Sequence, residues 1–489
     1  MSKTASVIVF LGILLFHHAQ AQNLSGPCPT SNSTKQSVSL SSDLICLVPQ
    51  VYGPGGLVGQ DHGGPLNSTQ QFSHAAHFQN SSLSSFSPLN SEIGTQLSIL
   101  PLASPASGFV FAFNPSLGVV TRQTESFGPI LTERAETIGR HRLFIGFSYQ
   151  YFDFDKVDGI DMKHIGAVFH HEDEPNVCKT NPIFTGCSTT GRPIWQNDII
   201  VTQNRVDLKV NQFTAVGTFG LTSRLDLSVA IPILDVHMSM FSDATIVSFE
   251  TATDIPRCCL HQFHSPSPFP PSRETLFPED PTFGFNHASF TSGNSATGIG
   301  DVILRGKFEA LKQEKTGFAV GLDVRLPTGD AYNFLGSGTY GIRPFATFSY
   351  ASRIAPHATV GFLYNGNSIL AADITKGTAT AKMPNLLTYS TGADVGITRR
   401  ITASGDFLGQ TILNASSVAQ TTIPDFGGTP RVELSSPPPH DVTQASIAAG
   451  GKFNLFRDFL LTLNVLFPLI NDAGLHSKPV PLVGLSYTF

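Results

Sequence analysis

The densest run of metal-capable side chains in this sequence is His170-His171-Glu172-Asp173-Glu174. Adjacent residues on a strand point to opposite faces, so His170 and His171 cannot share a metal while the strand lasts. The run therefore reads as a solvated acidic loop edge. Any cation held by Glu172 and Glu174 would be calcium rather than zinc, because surface carboxylate oxygens are hard ligands. His141, His164 and His357 are candidate bases, but neither a Ser nor an Asp is marked as their partner. A nucleophile elbow, a Gly-rich phosphate loop and a paired-carboxylate signature are all missing. The expectation is no enzyme, no metal and no cofactor.

Six cysteines in a chain that begins like an exported one suggest disulfides. Cys178 and Cys187 bracket a polar stretch and are expected to staple a loop. Cys28 and Cys46 could pair near the N-terminus, and the adjacent Cys258 and Cys259 are left open.

The charges carry a clearer message. Arg205, Asp207, Lys209, Arg224, Asp226, Asp301, Arg305, Lys307, Glu309, Asp323 and Arg325 recur in alternation with apolar residues along several segments. In 316–327, Phe318, Val320, Leu322, Val324 and Leu326 form one face, and Gly321, Asp323 and Arg325 the other. In the preceding segment Val302, Leu304, Phe308 and Ala310 oppose Asp301, Arg305, Lys307 and Glu309. Over 204–210, Val206, Leu208 and Val210 oppose Arg205, Asp207 and Lys209. Period-two charge opposite an apolar stripe suits a wet lumen and a lipid face, so all eleven charged residues are expected to line a lumen. There they would brace it with cross-strand ion pairs or line a conducting path.

The elements that must position them are strands. Alternating segments are expected at 141–152, 160–170, 204–219, 223–237, 297–311, 316–327, 339–350, 356–364, 385–398, 401–414, 443–455, 458–467 and 479–489, with a further one within 108–137. That makes a transmembrane antiparallel β-barrel of about 14 strands, with 12 or 16 as alternatives. Short turns near residues 221–222, 312–315, 351–355, 399–400 and 456–457 alternate with long loops near 171–203, 238–296, 328–338, 365–384, 415–442 and 468–478. The longest of these contains Pro266, Pro268, Pro270 and Pro271. Short turns belong on the periplasmic side, which puts the final residue there too. In that last strand Pro481, Val483, Leu485, Tyr487 and Phe489 share one face, and Leu482, Gly484, Ser486 and Thr488 the other.

Residues 1–21 read as a signal peptide, with Lys3, a short apolar run from Val7 to Phe16 and a small-x-small site at Ala19-Gln20-Ala21. Its apolar run falls short of the ~20 residues a membrane helix needs. Residues 22–107 read as a low-complexity, flexible periplasmic extension or a lumen plug, and 108–489 as the barrel. Only 13% of residues are charged and the net charge of −6 names no partner; with no basic stripe and an export-type start, no nucleic-acid partner is expected. The bacterial outer membrane, its lipid and its barrel-assembly machinery are the expected surroundings, the last through the strand ending at Phe489. Pro344 and Pro232 mark places where a strand could kink and release a ligand sideways.

One stretch resembles a known family. "TGIGDVILRGKFEALK" (297–312) and "GFAVGLDVRLPTGDAYNFLGSGTYGIRPF" (317–345), together with "TIGRHRLFIGFSYQYFDFDKVDG" (137–159), are similar to outer-membrane proteins of the MetA-pathway phenol-degradation family. Those are transporters distantly similar to long-chain fatty acid channels. The block Leu326-Pro327-Thr328-Gly329-Asp330 followed by Leu335-Gly336-Ser337-Gly338 is its most specific part. The resemblance implies a porin-like channel or transporter for small, hydrophobic or aromatic solutes. The alternative is a barrel that anchors adhesive or binding loops at the surface. The block itself reads first as an extracellular turn that sets register.

Overall fold

A computed structural model of the 489-residue chain describes residues 28, 42–53, 56–57, 77–102, 111–114, 119–122, 127–172, 194–249, 261, 263, 286–373 and 380–489. The expected signal peptide, Asp173, Glu174, Cys178, Cys187, Cys258, Cys259 and the Pro-rich stretch lie outside the described residues.

Twelve antiparallel strands close on themselves. They are β1 (Leu143–Val157), β2 (Ile199–Gly220), β3 (Leu225–Val247), β4 (Val302–Lys312), β5 (Thr316–Leu326) and β6 (Gly341–Tyr350), followed by β7 (Ile354–Asn365), β8 (Asn385–Thr398), β9 (Ile401–Ala415), β10 (His440–Phe456), β11 (Phe459–Pro468) and β12 (Val480–Thr488). Each pairs with its chain neighbours, and the seam joins the last strand to the first, with Leu485 opposite Phe147 and Leu482 opposite Gln150. Closure leaves the wall without a free edge, which is what a strand protein needs to cross a bilayer.

The alternation expected from the sequence holds through the middle of the wall. Leu143, Ile145 and Phe147, then Leu304 and Phe308, Phe318, Val320 and Leu322, Val483 and Leu485 are all exposed on the outer surface, Phe147 by 61%. A belt of large apolar side chains around a closed barrel is stable only in lipid. The protein is an outer-membrane β-barrel. In the last strand Pro481, Val483, Leu485 and Phe489 do face out, while Leu482, Gly484 and Thr488 are buried. Val302, expected on the lipid face, is instead buried.

The barrel has 12 strands rather than 14. The segment within 108–137 contributes only a separate hairpin, Phe111–Asn114 with Val119–Arg122. The 160–170 segment forms a short strand, Ile165–His170, which pairs with Ile199–Asn204 at the far end of β2 and does not enter the ring. Each is too short to span, and Ile165–Phe169 is buried on both faces. The loop expected at 238–296 is also shorter than its sequence suggests. β3 runs on to Val247 and pairs with a returning strand, His287–Ile299. A second hairpin, Ala419–Pro424 with Pro430–Ser435, fills the expected 415–442 loop. These arms stand at the end opposite the short turns.

Part of the N-terminal region packs into this architecture. The one-turn helix α1 (Leu44–Leu47), α2 (Gln79–Ser85) and α3 (Ser87–Leu97) contribute Leu44, Phe86, Leu89 and Ile93 to a core that also holds Phe152, Val206, Leu208, Val236 and Phe334. Cys28 and Cys46 form a disulfide.

Candidate functional site

Two chain segments run inside the barrel. The first is residues 127–138, immediately before β1, and it lies at the short-turn end. Lys452 of β10, fully buried, donates to the carbonyls of Phe127, Gly128 and Pro129 at 3.2, 2.7 and 2.5 Å. Lys307 of β4 donates to the carbonyls of Arg134 and Glu136, each at 3.0 Å. Asp226 of β3 accepts from the Ile138 N–H at 3.0 Å. Asp406 of β9 bonds both His357 Nε2 (2.8 Å) and the Thr132 hydroxyl (3.1 Å). Inward side chains of β3, β4, β7, β9 and β10 thus share the work of satisfying one extended segment, which is the condition for burying an irregular backbone.

The second segment is α3 and the residues that follow it. Arg325 Nη1 donates to the Ser98 carbonyl at 3.3 Å, and Gln212 Nε2 to the Pro101 carbonyl at 3.0 Å. Gln96 Oε1 accepts from Gln444 Nε2 at 2.7 Å and from the Leu475 N–H at 2.6 Å.

Between the two segments lies a cavity of ≈ 380 Å³. Its apolar part comes from Leu97, Leu100, Leu102, Phe152, Phe154 and Leu408. Its charged part is a compact cluster. Arg305 grips Asp323 through two N–H···O bonds, and Arg343 of β6 donates to the same Asp323 Oδ2 at 2.6 and 2.9 Å. Arg305 also pairs with Glu133 of the first segment, and both guanidinium groups lie against the Phe345 ring, at 5.0 and 5.4 Å from its centroid. One wall of the cavity is therefore a fixed, charge-balanced surface, two guanidinium groups against two carboxylates, and the rest is oily.

The family-like block closes the cavity from above. Asp301 accepts from the Gly329 N–H at 3.1 Å and the Ser337 N–H at 2.8 Å, and Thr328 donates to the Gly300 carbonyl at 2.7 Å. A Cβ on Gly329 would stand 2.5 Å from the Leu335 carbonyl oxygen, and one on Gly336 2.7 Å from the Gly329 Cα. Only glycine allows the two arms of this loop to touch. The tight fold turns Phe334 inward, where it is 1% exposed and packs on α3, while Leu335 and Gly336 line the cavity. The block is a structural turn that also supplies cavity wall.

The wall itself is split at one place. β10 pairs with β9 as far as His440, but its ladder with β11 ends at Ser446 opposite Pro468, followed by a single bond from the Leu469 N–H to the Ala445 carbonyl at 2.8 Å. Across the resulting gap the next strand is Leu475–Ser477, which pairs with β1 on its other side. Residues 469–474 bridge the opening, and Gln444, Ala445, Pro468, Ile470 and Leu475 line both its margins and the cavity. Asp158, at the end of β1, anchors this bridge by accepting from the Gly474 N–H at 2.7 Å and the Val418 N–H at 2.8 Å. Burial raises its carboxyl above the ordinary value, and the two donors draw it back.

Of the eleven charged residues expected in the lumen, Asp226, Asp301, Arg305, Lys307, Glu309, Asp323 and Arg325 point inward. Four do not. Arg205, Asp207 and Lys209 are exposed on the outer face of the β2 extension, while Val206, Leu208 and Val210 are buried within. Beyond the bilayer the outside of the sheet meets water and its inside meets a packed core, so the expected faces are inverted. Arg224 is exposed in the β2–β3 turn. Arg343 was missing from the expected set, although its place between outward Ile342 and Pro344 would have revealed it. Pro344 does interrupt the β6–β7 ladder, where residues 343 and 344 go unpaired. Pro232 sits where β3 exchanges one partner strand for another.

A closed barrel with a lipid belt is of the outer-membrane β-barrel class. Residues 202–428 match the family described as "Putative MetA-pathway of phenol degradation", which bears out the resemblance read from the sequence. No curated protein matches. Among solved structures, an outer membrane channel from Pseudomonas putida is similar at 9% identity, covering 73% of this chain and 99% of that one, with a TM-score of 0.38. The TodX monoaromatic hydrocarbon channel is similar at 10% identity, covering 78% and 96%, with a TM-score of 0.32. The CymD monoaromatic hydrocarbon channel follows at 7% identity, 71% and 88% coverage, and a TM-score of 0.31. At these scores the likeness adds nothing to what the barrel's own geometry provides.

Proposed function

We propose that the protein carries small apolar or aromatic compounds across the outer membrane. The observation that supports this most is that the largely apolar cavity reaches the split in the wall between β10 and Leu475–Ser477. A solute entering from the loop side would rest against Leu100, Phe152 and Phe154, with the Arg305–Phe345–Arg343 stack as its polar limit. It would leave sideways past Ala445 and Ile470, because residues 127–138 fill the route straight down. α3 and residues 98–102 serve as a lumen plug in this reading. The matched family's description names phenol degradation, which agrees with an aromatic cargo here. Outer-membrane lipid and a small-molecule solute are then the partners, with the assembly machinery acting on the strand that ends at Phe489.

The test is uptake of radiolabelled toluene by cells whose outer membrane carries the protein, beside single-channel recording of the refolded barrel. Facilitated uptake with a silent bilayer is the expected pair of results. Steady ohmic steps with no gain in toluene uptake would make it a water-filled pore instead.

A further inference from the structure

Three histidines distant in sequence meet at the loop end of the molecule. His77 immediately precedes α2, His171 follows the strand Ile165–His170, and His261 belongs to the long β3 loop. All three are buried, and one ring nitrogen from each lies within 4.8 Å of the other two. His171 Nε2 is 2.7 Å from His77 Nδ1, and His77 Nδ1 is 3.3 Å from His261 Nε2. Imidazole nitrogens bound tetrahedrally at ~2.0–2.1 Å from zinc stand about 3.3 Å apart. The His77–His261 pair already stands at the spacing a single ion imposes, while the His171–His77 pair, at hydrogen-bond distance, would open by about 0.6 Å to admit one.

The outward-facing nitrogens complete the pattern. His261 Nδ1 contacts Asp198 Oδ2 at 2.8 Å, and Asp198 is itself fixed by the Phe249 N–H at 2.9 Å. His171 Nδ1 contacts the Glu172 carbonyl at 2.6 Å. A carboxylate behind His261 and a carbonyl behind His171 set the tautomers of those two rings and orient their lone pairs toward the metal. Phe78, also buried, meets the His171 and His261 rings edge-on and walls the site from lipid and water. His170 turns the opposite way, toward Glu433 at 3.2 Å, as adjacent strand residues must.

From this geometry we infer that His77, His171 and His261 form a three-histidine site for a divalent transition metal, zinc being the best match. The nitrogen-only donor set excludes calcium and magnesium, which require oxygen ligands. Asp198 is a positioning residue. The ion ties the root of α2, and through it the cavity-lining α3, to His261 and, through Asp198, to the start of β2.

The experiment is competition between folded, detergent-solubilised full-length protein and a chromogenic chelator for Zn²⁺, with folding of every variant checked by heat-dependent gel migration. One equivalent of Zn²⁺ should bind, and Co²⁺ in its place should give the intense ligand-field absorption of a tetrahedral nitrogen site. His77→Ala, His171→Ala and His261→Ala should each weaken binding more than 100-fold, Asp198→Asn by about 10- to 100-fold, and His170→Ala not at all. Zn²⁺ should also protect the loop around residue 261 from limited proteolysis. The inference is overturned if folded wild type binds no stoichiometric Zn²⁺, or if binding survives the three variants and is lost in His170→Ala, which would place it on the surface. Toluene uptake is not a readout here, so failure of the site and failure of the transport reading stay distinct.

Discussion

Asp323 holds two guanidinium groups at once, Arg305 through both carboxylate oxygens at 2.6 and 2.8 Å and Arg343 through Oδ2 alone at 2.6 and 2.9 Å. The carboxylate is the hinge of the charged wall, because every other contact of that wall depends on where those two arginines point.

Asp323→Ala should therefore destabilise the barrel by about 3–5 kcal/mol, the usual cost of leaving buried charge unpaired. Urea unfolding in detergent micelles measures it. An effect under about 1 kcal/mol would mean that water already screens the cluster.

Lys452 offers a different lever, since its ammonium is satisfied by three carbonyls of the segment that fills the short-turn end. Lys452→Met keeps the volume and removes the donors. We expect ion conductance to rise at least several-fold as residues 127–129 come loose, read in planar bilayers.

The split wall makes a steric prediction. Ala445→Trp should lower toluene uptake tenfold or more by filling the exit, with the melting behaviour of the barrel unchanged. Wild-type uptake from a folded Ala445→Trp barrel would exclude the sideways route.

Placement of the lipid belt can be tested on faces of the same parity. Phe147→Arg puts charge among the belt residues and should cost about 2–4 kcal/mol. Asp207→Ala lies on the outer face too, but beyond the belt, and should change stability by less than about 0.5 kcal/mol. Equal effects at the two positions would misplace the membrane.

The family-like loop is held by glycines for want of space. Gly336→Ala would bring a Cβ to 2.7 Å from the Gly329 Cα, and Gly329→Ala to 2.5 Å from the Leu335 oxygen. Each should destabilise by about 1–3 kcal/mol, as overpacking does. Hydrogen exchange at the Ser337 amide, which Asp301 protects, is the local readout.

The wall was legible in the sequence because period two survives wherever one face meets lipid, as Phe318, Val320 and Leu322 show. The same rule misled at Arg205, Asp207 and Lys209. Alternation reports that a strand has two unlike faces and leaves open which of them is inside. The strand count came to 12, the lower of the expected alternatives, because Ile165–His170 is buried on both faces and pairs above the ring. Arg343 was readable from its neighbours' parity. The histidine cluster was not readable, because His77 and His171 are 94 positions apart and His77 and His261 are 184 apart. No local pattern joins residues that meet only through the tertiary fold.

The seam between β1 and β12 has a consequence for how the molecule would open. The stretch that fills the short-turn end, residues 127–138, directly precedes β1, the strand against which β12 closes the ring. The filling is thus tethered to one side of the seam, and a ring that opened there would carry its own contents with it.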